Sequence, residues 1–124
     1  MTDPDVLALA SEFNAAMDEL NAALAVAETA LTDLHLGVSA SVFIREGLFL
    51  TFKRTSTGWH LCIDHDDAMS QMLLNCSRET RLRAVEKLPE LYDELIKTAK
   101  IQIDEVREKT LQVDAFVAAI AKGE

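Results

Sequence analysis

Hydrophobic residues recur at alternating steps of four and three along the first quarter of the chain. This spacing places them on one side of an α-helix for four heptads. Pro4 is tolerated in a first helical turn, and Thr2 or Asp3 can cap that turn. The pattern therefore predicts a long N-terminal helix over residues 4–34. The apolar seam of this helix consists of Val6, Ala10, Phe13, Met17, Leu20, Leu24, Ala27, Leu31 and Leu34.

After Gly37 the period of the pattern falls from about 3.5 to 2, which is typical of strands with one buried face. Glu46-Gly47 has the composition of a tight turn, and residues 55–58 form a second one. We predict a three-stranded antiparallel meander over residues 38–64. One face of this meander must be covered, and the long helices are the available cover.

The remainder of the chain, residues 66–122, is predicted to be helical. An aspartate among residues 64–67 can cap a short helix through Leu74, and Ser77 can cap the next helix. Pro89 is expected to end or kink that helix, because proline lacks an N–H and disfavours helical geometry at the preceding residue. A long helix would follow, with one side formed by Leu91, Leu95, Ala99, Ile103, Val106, Val113, Val117 and Ile120.

These elements define the expected fold class. It is α+β and mostly helical, with a long N-terminal helix, a three-stranded antiparallel meander, then short helices and a long C-terminal helix. A chain of this length is expected to form a single domain over residues 1–124.

The composition argues against several classes of protein. The 124 residues include 21 acidic and 12 basic side chains, for a net charge of −9, which argues against attachment to nucleic acid or an anionic membrane by net charge. Two cysteines are too few for a disulfide framework, and the N-terminal apolar run is interrupted by acids. We predict a cytoplasmic protein with reduced thiols that neither enters a membrane nor binds nucleic acid.

The charges are unevenly distributed. Residues 1–35 contain seven acidic residues and no lysine or arginine, whereas seven of the twelve bases lie on the meander and just before Pro89. We expect these bases to pair with the acidic helix, within or between subunits, or to be solvated, in preference to forming an anion site. The candidate anion or partner patch is Arg45, Lys53, Arg54, Arg78, Arg81 and Arg83, and the candidate acidic partner face is Glu12, Asp18, Glu19 and Asp33.

Candidate catalytic chemistry is sparse. His60, Cys62 and Asp64 share a face of the third strand, but parallel side chains converge on one metal ion only if other elements add ligands. The aspartates at 64–67 are better explained as helix caps than as a calcium loop, and no base is placed beside Cys76. We therefore predict a protein that is not an enzyme and has no catalytic residue, metal site or cofactor. A metal or thiol enzyme is the less favoured alternative.

Two helices of about 46 to 50 Å exceed what a compact chain of this size needs. Some apolar length would protrude unless a second copy or another protein covered it. Parallel pairing of two N-terminal helices would bring like charges together, so the C-terminal helix is the expected partner of the acidic helix. Its bases are Lys97, Lys100, Arg107 and Lys109.

The function expected from these features is a small acidic protein–protein interaction module (an adaptor, chaperone-like protein or regulatory subunit), homo-oligomeric with a dimer favoured. The alternative is an acidic inhibitor that imitates nucleic acid to block a nucleic-acid-binding protein. In size, charge and strands after a first helix, the chain is similar to small acidic chaperones of bacterial secretion systems. It has no predicted second strand pair before the last helix, so neither fold nor site residues are taken from them.

Overall fold

The computed structural model describes residues 3–123 and confirms the predicted α+β class, with 64% of the structure helical. A long helix precedes a four-stranded antiparallel sheet, and a second long helix follows it. The elements are α1 Pro4–Thr32, β1 Ala40–Arg45, β2 Leu48–Thr55, β3 Gly58–His65, β4 Ser70–Met72, a 3₁₀ turn Leu73–Asn75 and α2 Arg78–Gly123.

Helix α1 begins as its sequence predicts. The side chain of Asp3 accepts a hydrogen bond from the N–H of Asp5, which satisfies one of the free donors of the first turn. Thr2, the other cap considered, lies outside the described residues. The helix ends at Thr32, two residues before the predicted end, and His35 then takes a φ of +52° as the chain turns toward the sheet.

The sheet has the strand order β1-β2-β3-β4, and every neighbouring pair is antiparallel. Gly47 occupies the first turn with a φ of +78°, a conformation that glycine adopts without a steric penalty. The meander of β1, β2 and β3 is therefore as predicted. One face of the sheet contributes to the core through Ala40, Val42, Leu50, Phe52, Leu61 and Ile63.

The segment after the meander differs from its prediction. Residues 66–74 do not form a helix, because Ser70–Met72 pairs with the edge of β3 as a fourth strand and only one 3₁₀ turn follows. The side chain of Asp67 accepts the N–H of Met69 within the tight turn before β4, so it orders a turn and caps no helix. Pairing with β3 supplies the backbone hydrogen bonds that a helix would otherwise have provided.

The prediction that a separate helix ends at Pro89 is also wrong. Helix α2 is continuous across Pro89. The buried residues Ala84 and Leu91 lie on either side of it and pack in the same core, so packing fixes the helix through the position where one N–H is missing. The carbonyl that loses its donor belongs to Val85, four residues earlier, and Val85 lies on an exposed part of the helix. The predicted cap is correct, since the hydroxyl oxygen of Ser77 accepts the N–H of Thr80.

Both helices are longer than the sheet they cover. The buried residues of α2 end at Ala99, and every residue from 100 to 123 is exposed. Every residue from 4 to 16 of α1 is exposed as well. We call residues 4–16 the α1 extension, residues 100–123 the α2 extension, and the packed remainder the body.

The two extensions leave the body at opposite ends. Arg78 stacks on the ring of Phe13, Arg81 bonds to Asn21, and Leu95 lines the same cleft as Leu31. Sequence position therefore increases in the same direction along α1 and α2. Consequently the N-terminal part of α1 projects at one end, and the C-terminal part of α2 projects at the other.

Within residues 3–123, neither helix contains a run apolar enough over a sufficient length to cross a membrane.

Candidate functional site

The α2 extension presents an apolar seam that nothing in the described chain covers. Steps of three and four continue from Ala99 through the whole extension, and the seam side chains are largely exposed. Most helical stability in proteins comes from packing an amphipathic face, and this part of α2 has no such packing within the described chain. An uncovered apolar seam roughly 26 Å long, at the usual helical rise, is typical of contact surfaces. Its members are Ile103, Val106, Thr110, Val113, Val117 and Ile120.

Charges along the α2 extension are balanced. Four bases, Lys100, Arg107, Lys109 and Lys122, are interspersed with four acids, Asp104, Glu105, Glu108 and Asp114. Arg107 follows Val106 directly and Asp114 follows Val113, so both charges flank the seam on the same side. Mixed charges beside an apolar seam are typical of helices that pair with other helices.

The α1 extension has a different character. It exposes Val6, Leu7, Leu9 and Phe13, and it carries Asp5 and Glu12 without any base. An acidic apolar helix of this kind repels its own copies and suits a partner with the opposite charge.

The six bases of the candidate patch do not form one surface. Arg45 and Arg54 lie near opposite ends of β2, roughly 20 Å apart at the usual strand rise. Lys53 forms an ion pair with Asp64 at 2.8 Å, and Arg83 pairs with Glu79 at 3.4 Å on the outside of α2. The residues that remain, Arg78 and Arg81, both contact α1.

Arg78 and Arg81 hold α1 against α2. The guanidinium carbon of Arg78 lies 4.1 Å from the ring centre of Phe13, and a side-chain nitrogen of Arg81 donates to the side-chain oxygen of Asn21. Arg78 and Arg81 therefore contact an aromatic ring and an amide of α1, and within residues 3–123 no carboxylate of α1 forms an ion pair with a lysine or arginine. Lys97, Lys100, Arg107 and Lys109, which were expected to face α1, are exposed farther along α2.

The acidic partner face remains open. Glu12, Asp18, Glu19 and Asp33 are all exposed, and within residues 3–123 the ion pair that α1 forms is between Glu28 and His60. The four carboxylates are thus available to a partner.

Glu28 is a structural residue that the sequence analysis did not single out. One carboxylate oxygen lies 2.7 Å from Nδ1 of His60, and the other accepts the backbone N–H of Leu61 at 2.9 Å. This carboxylate joins α1 to β3. The sequence could not distinguish Glu28 from the exposed acidic residues of α1, because its role depends on the position of β3 beside α1, which is a tertiary feature.

The face with His60, Cys62 and Asp64 is occupied by internal contacts. His60 contacts Glu28 and Thr57, and Asp64 accepts hydrogen bonds from Lys53 and Ser70. Burial raises the pKa of Asp64, but the bonds from Lys53, Ser70 and Thr51 and the positive charge of Lys53 together hold it below its ordinary value. Among residues 3–123, no three His, Cys, Asp or Glu side chains are grouped so as to hold a metal ion.

Both cysteines are free and buried. Burial raises the pKa of the Cys62 thiol and of the Cys76 thiol, so both stay protonated at neutral pH. A protonated, enclosed thiol is a poor nucleophile, and neither cysteine offers a reactive centre.

A cleft of about 210 Å³ lies between the C-terminal end of α1, the start of β1 and α2. Its walls are mostly apolar, including Leu31, Val38, Trp59 and Leu95, with His35 at the margin. Typical small-molecule sites enclose roughly 300–1,000 Å³ and combine apolar walls with several convergent polar groups. This cleft is smaller, so the helix extensions are the stronger candidate site.

No family model matches the chain, and no curated protein or solved structure shows significant similarity to it.

Proposed function

We propose that the chain is a non-enzymatic, cytoplasmic protein–protein interaction module, serving as an adaptor, chaperone-like protein or regulatory subunit, and that it works as a homo-oligomer. The observation that supports this proposal is the pair of uncovered apolar helix extensions at opposite ends of one body. Contiguous exposed apolar surface on a folded protein is typical of interaction sites.

The two extensions suit different partners. The α2 extension has balanced charge and can pair with helices like itself, whereas the α1 extension is uniformly acidic. Val6, Ala10 and Phe13 have the spacing by which a helix lies in an apolar groove of another protein. The partner of the α1 extension is therefore a protein with an apolar groove flanked by lysine or arginine, because its charge must complement Asp5 and Glu12.

The test is a comparison of two acidic double variants of the α1 extension. Val6→Asp with Ala10→Asp places charge on the seam, whereas Ala8→Asp with Ala15→Asp adds the same charge on the opposite side of the helix. Each variant is used to capture proteins from the native cell, with quantification against the unmodified chain.

We expect the seam variant to lose its partner by more than tenfold and the opposite-side variant to retain it, since a charge on the seam must be buried in the apolar groove. Equal capture by both variants would contradict binding through the α1 seam. Circular dichroism of both variants checks that α1 is still helical.

The open acidic face supports a second candidate, an inhibitor that imitates nucleic acid. Glu12, Asp18, Glu19 and Asp33 span roughly 32 Å of helix, whereas duplex DNA carries one charge per about 1.7 Å. This low charge density makes the inhibitor the weaker candidate. It requires that Asp18→Lys, Glu19→Lys and Asp33→Lys together weaken binding to a nucleic-acid-binding protein and reduce its salt dependence. If binding and salt dependence were unchanged, the inhibitor would be excluded.

A further inference from the structure

The direction in which a second helix can lie on the α2 extension follows from Ala99. This residue is the seam position before Ile103, and it is buried because it packs in the core of its own body. In a parallel pair the two Ala99 residues would face each other. The body packed on one Ala99 would then occupy the space that the second α2 helix needs. An antiparallel pair avoids this conflict, because the partner helix ends where the body begins.

The length of the extension fits such an antiparallel pair. Aligning Ile103 with Ile120 of a second copy places residue 100 of each helix near residue 123 of the other. The uncovered part of each α2 is then covered along its whole length, and each body lies just beyond the end of the partner helix. In antiparallel coiled coils the two kinds of seam position face each other, as this alignment requires.

The same alignment gives apolar layers throughout. Ile103 meets Ile120, Val106 meets Val117 and Thr110 meets Val113, and twofold symmetry repeats each layer. The hydroxyl of Thr110 donates to the carbonyl of Val106 in its own helix at 2.9 Å. Its hydrogen bond is therefore satisfied without a partner, and the threonine can enter an apolar layer at low cost.

The charges beside the seam are compatible with this direction. In an antiparallel pair the side that carries Arg107 and Asp114 faces the same side of the second copy, so each Arg107 lies opposite an Asp114. In a parallel pair Arg107 would instead lie opposite Gln102, and Asp114 would lie opposite Lys109, so the two directions give Arg107 different partners. Charge complementarity between two copies thus accompanies the apolar match.

We propose that the α2 extensions of two copies of this chain form an antiparallel coiled coil, with a body at each end and the α1 extensions free at the outer ends. This inference rests on the proposed function, since it names the second copy as the partner of one extension. Capture of a partner protein through the α1 extension is a separate property. An experiment can therefore contradict dimerisation through α2 or partner binding through α1 without contradicting the other.

The first experiment compares two exposed apolar residues of the α2 extension in the full-length chain. Val106 is 63% exposed and on the seam, whereas Leu111 is 69% exposed and off it. We expect light scattering at micromolar concentration to show a dimer for the unmodified chain and for Leu111→Asp. We expect Val106→Asp to be monomeric, with a dimer Kd raised more than 100-fold, because two charges would be buried without partners.

A monomeric unmodified chain, or a Val106→Asp variant that dimerises as well as Leu111→Asp, would overturn the proposal. A monomer that still captures its partner through the α1 seam would leave the proposed function intact. Loss of α1 capture in a chain that remains dimeric would contradict the α1 interface alone.

The second experiment determines helix direction by disulfide formation. Ile103→Cys and Ile120→Cys are made as two separate proteins and oxidised under mild conditions, alone and mixed, with the unmodified chain as the control. We expect a covalent dimer only in the mixture, because Ile103 lies opposite Ile120 of the second copy. Cross-linking of each protein to itself would show a parallel pair and overturn the proposal, as would the absence of cross-linking in the mixture.

The third experiment exchanges the flanking charges. Arg107→Asp alone should raise the dimer Kd about three- to tenfold, which is the scale of two exposed ion pairs. Adding Asp114→Arg should restore the original Kd, because each arginine again faces an aspartate. A double variant weaker than Arg107→Asp alone would contradict the antiparallel alignment.

Discussion

The two halves of α2 are one continuous helix with opposite surroundings. Residues 78–99 bury Ala84, Leu91, Leu95 and Ala99 against the sheet, whereas no side chain of residues 100–123 is buried. Apolar spacing is regular in both halves. A periodic seam therefore identifies a contact face, but it does not show whether the contact lies within one chain or between two chains.

The same contrast separates the body from both extensions. A residue of the body contributes to stability at any protein concentration, because its neighbours belong to the same chain. Apart from Phe13, whose ring contacts Arg78 of the body, a residue of an extension packs only when a partner is bound, and its contribution then depends on partner concentration. Paired substitutions, one in the body and one in an extension, therefore test the distinction directly.

The largest expected difference is between Leu95→Ala and Val113→Ala. Leu95 is fully buried in the core, so its truncation should lower the free energy of unfolding by about 2–5 kcal/mol. Val113→Ala should change it by less than about 0.5 kcal/mol at concentrations where the chain is monomeric. Urea denaturation followed by fluorescence of Trp59, which stacks on Phe52 in the body, measures both values. Equal losses would show that the α2 extension packs within the monomer.

A smaller difference is expected between Glu28→Gln and Glu12→Gln. Glu28 connects α1 to His60 and to the backbone of β3, so losing its charge should cost about 1.5–3 kcal/mol of unfolding free energy. Glu12 is exposed on the α1 extension, and its substitution should cost almost nothing. The same denaturation experiment applies to both, and a neutral Glu28→Gln variant would contradict the assigned role of this carboxylate.

The third comparison concerns pH and pairs Asp64→Asn with Asp114→Asn. The folded-state pKa of Asp64 is held below the ordinary value of 3.8, so the charged form stabilises the fold above pH 3.8, and this contribution is lost as pH falls through the folded value. At pH 7, Asp64→Asn should lower the unfolding free energy by about 1 kcal/mol, a size appropriate to a partly exposed ion pair.

As the pH falls below the folded pKa of Asp64, the stability curves of Asp64→Asn and the unmodified chain should converge. Asp114→Asn, on the exposed α2 extension, should change the unfolding free energy of the monomer by less than about 0.5 kcal/mol at pH 7. A constant gap between Asp64→Asn and the unmodified chain across the acid range would contradict the predicted contribution of this carboxylate.

The smallest expected effects come from alanine-to-glycine substitutions, which should stabilise a strained turn of the body and weaken the helix of the α2 extension. Ala68 has a φ of +69° in the turn before β4, so Ala68→Gly should relieve strain and raise the unfolding free energy by about 0.5–1 kcal/mol. Ala118→Gly, in the middle of the exposed helix, should leave the unfolding of the body unchanged. It should instead lower the helical circular dichroism signal of the monomer, because glycine weakens helices. Destabilisation by Ala68→Gly would contradict the strained turn.

Much of the fold could be predicted from sequence because its periodic segments are long. The seam of α1 and the alternation in β1, β2 and β3 repeat over more residues than a chance arrangement of apolar side chains would. Ser70–Met72 is too short to show alternation, and it becomes a strand only because the edge of β3 lies beside it. The predicted helix end at Pro89 failed for a related reason. Packing on both sides of this residue outweighs its local preference against a helix.

The contact surfaces were less predictable than the elements. Sequence indicated that apolar helix length would exceed what one chain can cover, and it offered both the bases before Pro89 and those beyond residue 96 as partners of the acidic helix. The structure brings Arg78 and Arg81 to α1 and leaves the bases beyond residue 96 exposed, because the packing of both helices in one core with the sheet determines which segments meet. Glu28 could not be distinguished from its acidic neighbours until β3 was placed beside it.

The bond between Glu28 and Leu61 has a consequence for aggregation. Strand β4 pairs with β3 only at residues 62–64, so the segment 58–61 has no strand beyond it on that edge. An N–H left free there could recruit a strand from another molecule, which is how exposed sheet edges seed fibres. The carboxylate of Glu28 occupies the N–H of Leu61, so α1 shields this edge from intermolecular strand pairing and leaves self-association to the helices.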